Sequence, residues 1–199
     1  GDEGMEKNIA LLADMRAKVG DDFWLMYDCW MALDLDYAAR LASRCAAHGL
    51  KWIEEALGPD DYWGYAELRR RVPEGMLVTT GEHEATRWGF RLLLEMDCCD
   101  IIQADVGWCG GLTEMRWIDA LARAENIPVI PHGGWRGGSA HFVFANENTS
   151  WCETFLPWPG GPKEVYERFE EEHQITRGSE GIYMRPPDRP GFGFELKPA

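Results

Sequence analysis

The sequence predicts an α/β protein whose parallel sheet curls toward a TIM-like barrel, with about six of the eight strands that such a barrel contains. Short apolar runs alternate with amphipathic helical stretches to about residue 147. Parallel neighbours need such crossover helices, because a tight turn cannot join them. Acidic residues close successive runs in phase: Asp28 in FWLMYD, Glu54 in KWIE and Glu82 in MLVTTGE lie 26 and 28 residues apart, the length of one strand plus one helix. No GxGxxG follows a strand, and the Gly-rich pieces GWCGG and GGWRGG have the wrong spacing for a phosphate cradle, which sets aside a doubly wound dinucleotide fold.

Glu6 to Val19 carries Ile9, Leu12, Ala13 and Met15 at helical spacing, and Gly20 stops that helix before strand FWLMYD. Asp36 to His48, with Leu41, Ala42 and Cys45 on one side, forms the next helix; Gly49 ends it and KWIE follows. Asp60 to Arg70 is the third helix and precedes MLVTTGE, and Glu84 to Glu95 is the fourth. IIQAD then ends at Asp105, and Leu112 to Glu125 repeats the helical pattern through Met115, Ile118 and Ala122 to an Asn126 cap. IPVIPH ends at His132 and SWCETF contains Glu153, so the acidic or basic strand ends continue in steps of 23, 27 and 21 residues. Residues 1–156 therefore read as a partial barrel, expected to lack its first two βα units as a fragment or a partner-completed piece. Residues 157–199 break the rhythm with PWPGGPKE, a charged stretch from Val165 to Gln174 and RPPDRPGFGFELKP, expected to be an extended tail that packs back on the barrel or on another domain.

Composition narrows the function classes. At 199 residues and 45% hydrophobic, the chain has enough apolar material for one core. A formal charge of −14 opposes nucleic-acid binding, since no basic stripe is present to displace counterions from phosphates. Glu164, Glu167, Glu170, Glu171 and Glu172 read as a solvated helix face. The six cysteines form neither a zinc pattern nor a disulfide framework. No apolar run approaches the roughly 18 residues of a membrane span, and GDEGMEKN lacks the basic start of a signal peptide. The expectation is a cytoplasmic protein with no membrane partner.

Asp28, Glu54 and Glu82 at neighbouring strand ends form a set of hard oxygen donors suited to Mg²⁺, whereas zinc would call for His or Cys. Glu55 adjoins Glu54, and spacing alone does not decide between them, although alternation along a strand sends them opposite ways. His132 is placed as a general base, with Asp105 on the preceding strand end to hold its tautomer. His83, next to Glu82, is a second acid or a support for the metal ligand, and Glu153 is a hydrogen-bond donor to an oxyanion or the partner of a cation. His48 suits a helix C-terminus, while His141 and His173 have weaker claims.

The ordered set DCW at 28–30, WIEE at 52–55, GEHE at 81–84, QADVGWCGG at 103–111 and IPVIPHGG at 127–134 resembles the mandelate racemase subgroup of the enolase superfamily, and within it the L-rhamnonate dehydratases. The resemblance runs from about residue 9 to the end, including PGFGFEL. It implies a (β/α)7β barrel with an N-terminal capping domain, which is expected to be missing here along with the first two strands. It also implies Asp28, Glu54 and Glu82 as Mg²⁺ ligands, choosing the first Glu of WIEE, with His132 and Asp105 as the catalytic dyad. The implied reaction is dehydration of a small acid sugar to a 2-keto-3-deoxy acid, through abstraction of the α-proton and an enediolate, in a homo-oligomer. Two other outcomes stay open: a racemase or epimerase of the same superfamily, and a non-catalytic fragment whose open sheet edges drive association. The loop GGWRGGSAHF departs from the rhamnonate dehydratase pattern, and its Trp135 and Arg136 are placed to reshape the pocket.

Overall fold

The computed structural model describes residues 1–134, 137–149, 151–155, 175–178, 181–185 and 190–193. Helix α1 (Asp2–Val19) leads into β1 (Leu25–Asp28), α2 (Leu35–Cys45) and a short 3₁₀ turn at Ala46–His48. Then come β2 (Leu50–Glu54), α3 (Tyr62–Arg71), β3 (Leu77–Thr80), α4 (Thr86–Glu95), β4 (Ile101–Ile102) and α5 (Leu112–Ala124). Strands β1 to β4 form one parallel sheet in sequence order, as the βα alternation requires. Helix starts follow their caps rather than the first periodic residue. Asp34 accepts from the Tyr37 N–H at 2.8 Å, and Asp61, not Asp60, accepts from Gly64 at 2.9 Å to open α3.

The sheet separates two apolar layers. Ile53, Val78, Ile102 and Val129 face the helices and pack with Tyr65, Leu68, Phe90, Leu93, Met115 and Ile118. Trp52, Ile101 and Ile130 form a smaller cluster with Met26 and Leu77. Because Trp52 and Ile53 belong to different clusters, Glu54 follows Trp52 onto the non-helical face. Helix α1 buries Met5 and Leu12 against Leu41, Cys45 and Leu50.

Three elements differ from the sequence reading. The expected fifth strand shrinks to a single parallel bridge, Ile102 to Val129, with Ile102 N–H bonded to the Pro128 carbonyl at 3.0 Å and Ile130 N–H to Ile102 at 2.8 Å. Pro128 and Pro131 lack the amide hydrogens a longer ladder needs. SWCETF is not a strand among its described residues 151–155, so the described sheet has four strands and a bridge rather than six strands. A helix, α6 (Gly137–Ala145), replaces the loop read after His132; its two glycines and its run HFVFA give no amphipathic stripe to reveal it. Within the expected tail, β5 (Ile175–Gly178) and β6 (Gly181–Met184) pair as an antiparallel hairpin, and the Phe192 ring lies 5.4 Å from the His141 ring of α6. No helix among the described residues is long and apolar enough to cross a membrane.

The loop after β2 is tied to the core by one side chain. Tyr65, fully buried on α3, donates its hydroxyl to the Leu57 carbonyl at 2.8 Å and accepts from the Leu57 N–H at 3.2 Å. Tyr65→Phe strands both backbone groups and is expected to cost about 1–3 kcal/mol. Urea unfolding reads this as a lower midpoint at unchanged slope; an unaltered midpoint would show that the loop holds without this anchor.

Candidate active site

The seven residues singled out at the strand ends come together. Asp28, Glu54, Glu82, His83, Asp105, His132 and Glu153 all line one cavity of about 430 Å³, walled also by Trp30, Trp108 and Phe155. The strand register brings them there: Asp28 pairs with Glu54, and Glu54 with Thr79. Glu82 then reaches the same rim through Gly81, whose φ of +124° and close approach to Phe90, 2.9 Å from any added Cβ, admit only glycine.

His132 and Asp105 form the expected pair, with Nδ1 2.8 Å from Oδ2. A carboxylate only accepts, so Nδ1 carries the hydrogen and Nε2 turns toward Glu82 Oε2, 3.5 Å away. The hydrogen bond to Asp105 is the main reason the imidazole is pushed up to about 9, against the pull of burial and with help from the Glu82 and Glu153 charges. Burial works to raise the Asp105 carboxyl, but its bonds from His132 and the Gly107 N–H outweigh this and hold it below its ordinary value. Glu153 Oε2 accepts from the Gly133 N–H, fixing the loop that follows His132.

Glu54 takes a hydrogen bond from the Trp52 indole at 2.9 Å, yet burial pushes it up to about 7, with the Asp28 and Glu153 charges adding to the rise. Glu82 is likewise raised, chiefly by burial. Five carboxylates and two imidazoles line the cavity, with no Lys or Arg among its described lining residues. Such a donor set fits a hard divalent cation, and carboxylate oxygens suit Mg²⁺.

The raised value for Glu54 has a measurable consequence. In the presence of a chelator, its favourable contribution is fully present below pH 4.5 and is lost as pH rises through about 7, because the ionised form is the one that burial penalises. The loss is expected to be about 3 kcal/mol, from a site only 7% exposed. Glu54→Gln removes this slope; a pH–stability profile over that window that is the same for both proteins would refute the assignment.

Trp30, Trp108 and Phe155 escaped the sequence reading as contributors, and Glu55 entered it only as the alternative to Glu54. Glu55 is wholly buried beside Glu54, and its Oε2 lies 3.1 Å from His83 Nδ1. Glu55, Glu82 and His83 place one ligand atom each within 4.8 Å of one another, the one such set among the described residues, whereas Asp28, Glu54 and Glu82 share the cavity without meeting at that distance. Trp30, Trp108 and Phe155 form the aromatic walls; DCW and DVGW, with a Trp just after Asp28 and Asp105, were the available signal for the first two. Trp135, Arg136 and His173 lie outside the described residues. His48 closes the 3₁₀ turn away from the cavity, and its carbonyl accepts from Arg16 at 2.8 Å.

A model of the enolase C-terminal domain-like family matches residues 1–199. The chain belongs to this family. Among solved structures, L-rhamnonate dehydratase from Gibberella zeae shares 37% identity, aligned over 100% of this chain and 50% of its own, with a TM-score of 0.83. A rhamnonate dehydratase from Gibberella zeae complexed with Mg is also 37% identical, over 100% of this chain and 48% of that one, at a TM-score of 0.81. A racemase from Streptomyces coelicolor A3(2) with bound magnesium is 27% identical over 96% of this chain and 50% of its own, at a TM-score of 0.77. The chain thus spans about half the length of these relatives. Membership of the enolase C-terminal domain-like family agrees with the parallel βα order of the sheet.

Proposed function

We propose that this chain carries the metal ligands and proton-transfer groups of an Mg²⁺-dependent acid-sugar dehydratase, acting on an L-rhamnonate-like substrate and yielding a 2-keto-3-deoxy acid. One observation carries the reading: the His132–Asp105 pair, 2.8 Å apart, shares a cavity with Asp28, Glu54 and Glu82. The 37% identity to a rhamnonate dehydratase complexed with Mg supports both the substrate class and the metal. Asp28, Glu54 and Glu82 are the residues proposed to hold Mg²⁺. When bound, the ion supplies the positive charge that a carboxylate substrate needs as its α-carbon gives up a proton.

His132 in its neutral form, with Nδ1–H on Asp105 and Nε2 bare, takes the proton from C2 at Nε2. Asp105 holds Nδ1–H and stabilises the imidazolium that forms, as a carboxylate does for a catalytic His. Glu153, anchored by the Gly133 N–H, faces the substrate from the same loop region. The 3-hydroxyl departs as water with a proton from an imidazole of the cavity, His132 or His83, and the enol ketonises. The magnesium-bound racemase among the similar structures favours a second reading, in which the proton returns to the other face of C2 and no water is lost.

The test incubates the chain with a panel of acid sugars, with and without Mg²⁺, alone and with the N-terminal half of a relative supplied in trans. A 2-keto-3-deoxy acid that forms only with Mg²⁺ supports dehydration. Deuterium uptake at C2 with inversion and no keto acid supports the racemase. If neither product nor exchange is seen in the presence of the added half, the reading falls.

A further inference from the structure

The aromatic wall of the cavity has no task in the reaction above. Trp30 and Trp108 line the site, yet they are 66% and 58% exposed. Two indoles open on a cleft otherwise made of carboxylates, imidazoles and one phenyl ring mark a surface suited to something apolar.

Both indoles are held in place. Trp30 and Met31 have left-handed backbones, φ +44° and +60°, which residues with side chains rarely adopt, and the Trp30 N–H fixes the turn by bonding Asp28 Oδ1 at 2.8 Å. Trp108 N–H bonds the Asp105 carbonyl at 3.0 Å, and its indole N–H bonds the His83 carbonyl at 3.0 Å. The Trp108 ring therefore has no donor left for a ligand and presents carbon alone.

Trp30 and Trp108 meet the same His83 ring edge-on, at 6.4 and 5.4 Å, while Phe155 meets the His132 ring at 5.5 Å. Glu82 lies between the two imidazoles, 3.3 Å from His83 and 3.5 Å from His132, so the indoles stand on the His83 side of Glu82. An acid whose carboxylate is at the Asp28, Glu54 and Glu82 cluster and whose C2 is at His132 has these rings left for its tail. The described lining holds five carboxylates and no Lys or Arg, so a second anionic group on that tail meets repulsion.

We infer that Trp30 and Trp108 are specificity-determining residues that pack on the C–H bonds of the substrate's tail and favour an acid sugar ending in a methyl group over one ending in a hydroxymethyl group or a second carboxylate; the inference rests on the dehydratase reading. A methyl group gains contact with the indole faces and loses nothing. A terminal hydroxyl gives up water beside a ring that offers it no hydrogen bond.

The test measures kcat/KM on the full chain, supplied with the N-terminal half of a relative, for two acid sugars of one configuration that end in a methyl or in a hydroxymethyl group. The parent is expected to prefer the methyl acid by about 10- to 100-fold, the range that a hydroxyl without a partner produces in an apolar pocket. Trp30→Ala and Trp108→Ala should each bring the ratio within about three-fold, chiefly by lowering kcat/KM for the methyl acid, while Mg²⁺ affinity stays within about two-fold. Trp108→Phe should keep most of the preference, because it retains a ring and gives up only the bond to the His83 carbonyl. A parent ratio near one, a ratio unchanged in either alanine variant, or a Phe variant as indifferent as the Ala variant overturns the inference. If no acid is dehydrated and none exchanges its C2 proton, the dehydratase reading falls, and proton NMR of the methyl acid mixed with protein and Mg²⁺ still judges the wall. Ring currents should move the methyl signal in the parent and not in the double variant Trp30→Ala, Trp108→Ala; equal spectra would overturn it.

Discussion

Replacing His132 with Asn is expected to lower turnover by about 1,000-fold or more while leaving the fold and Mg²⁺ binding in place. The size follows from what the residue does. The α-proton of a carboxylate is scarcely acidic, so a positioned base contributes a large share of the barrier lowering, and no other described residue of the cavity duplicates this one. Asp105 is held below its ordinary value and serves His132 through Nδ1. His83 is turned toward Glu55 and Glu82. Asn keeps an N–H that can face Asp105, so the loss reports the missing base rather than a collapsed loop. The measurement is deuterium exchange at C2 beside product formation. Exchange that survives His132→Asn would remove His132 from its role, whatever happens to the yield of keto acid.

The site was far more legible in the sequence than the strands that carry it. Asp28, Glu54, Glu82, Asp105 and His132 each end an apolar run, and the βα period brings such ends to one rim whether or not every run completes a ladder. The fifth run shows the difference: IPVIPH delivers His132 to the cavity although Pro128 and Pro131 reduce its pairing to one bridge. Glu153 arrives with no described strand at all, carried by its bond to Gly133. Spacing alone left Glu54 and Glu55 both open for a physical reason, and only the resemblance chose between them. Strands buried on both faces carry apolar side chains in both directions, so KWIE does not reveal which of Trp52 and Ile53 faces the helices. Once Ile53 is seen in the helix layer, Glu54 falls on the cavity face. Helix α6 stayed hidden because Gly137 and Gly138 read as loop and HFVFA has no polar side to set a period.

Glu82→Gln should weaken Mg²⁺ binding by at least about 100-fold and, with a chelator present, make the chain more resistant to unfolding. The two effects have one cause. Glu82 is 7% exposed, its carboxyl is raised chiefly by burial, and Glu55 and Asp28 add repulsion. A neutral amide of the same shape relieves that penalty, while removing a full charge and a hard oxygen from the donor set. A variant that merely misfolds would lose affinity and stability together, so opposite signs separate the metal site from a structural defect. Calorimetric Mg²⁺ titration gives the first sign and thermal unfolding with chelator the second. Glu82 belongs both to the proposed set, Asp28, Glu54 and Glu82, and to the one set whose ligand atoms converge, Glu55, Glu82 and His83, so its partners must be found separately. Glu54→Gln should reproduce the loss of affinity, and Glu55→Gln should leave binding within a few-fold, because Glu55 is already engaged by Thr80, Gly81 and His83. The reverse pattern would move the cation from the Asp28, Glu54 and Glu82 cluster to the Glu55, Glu82 and His83 cluster.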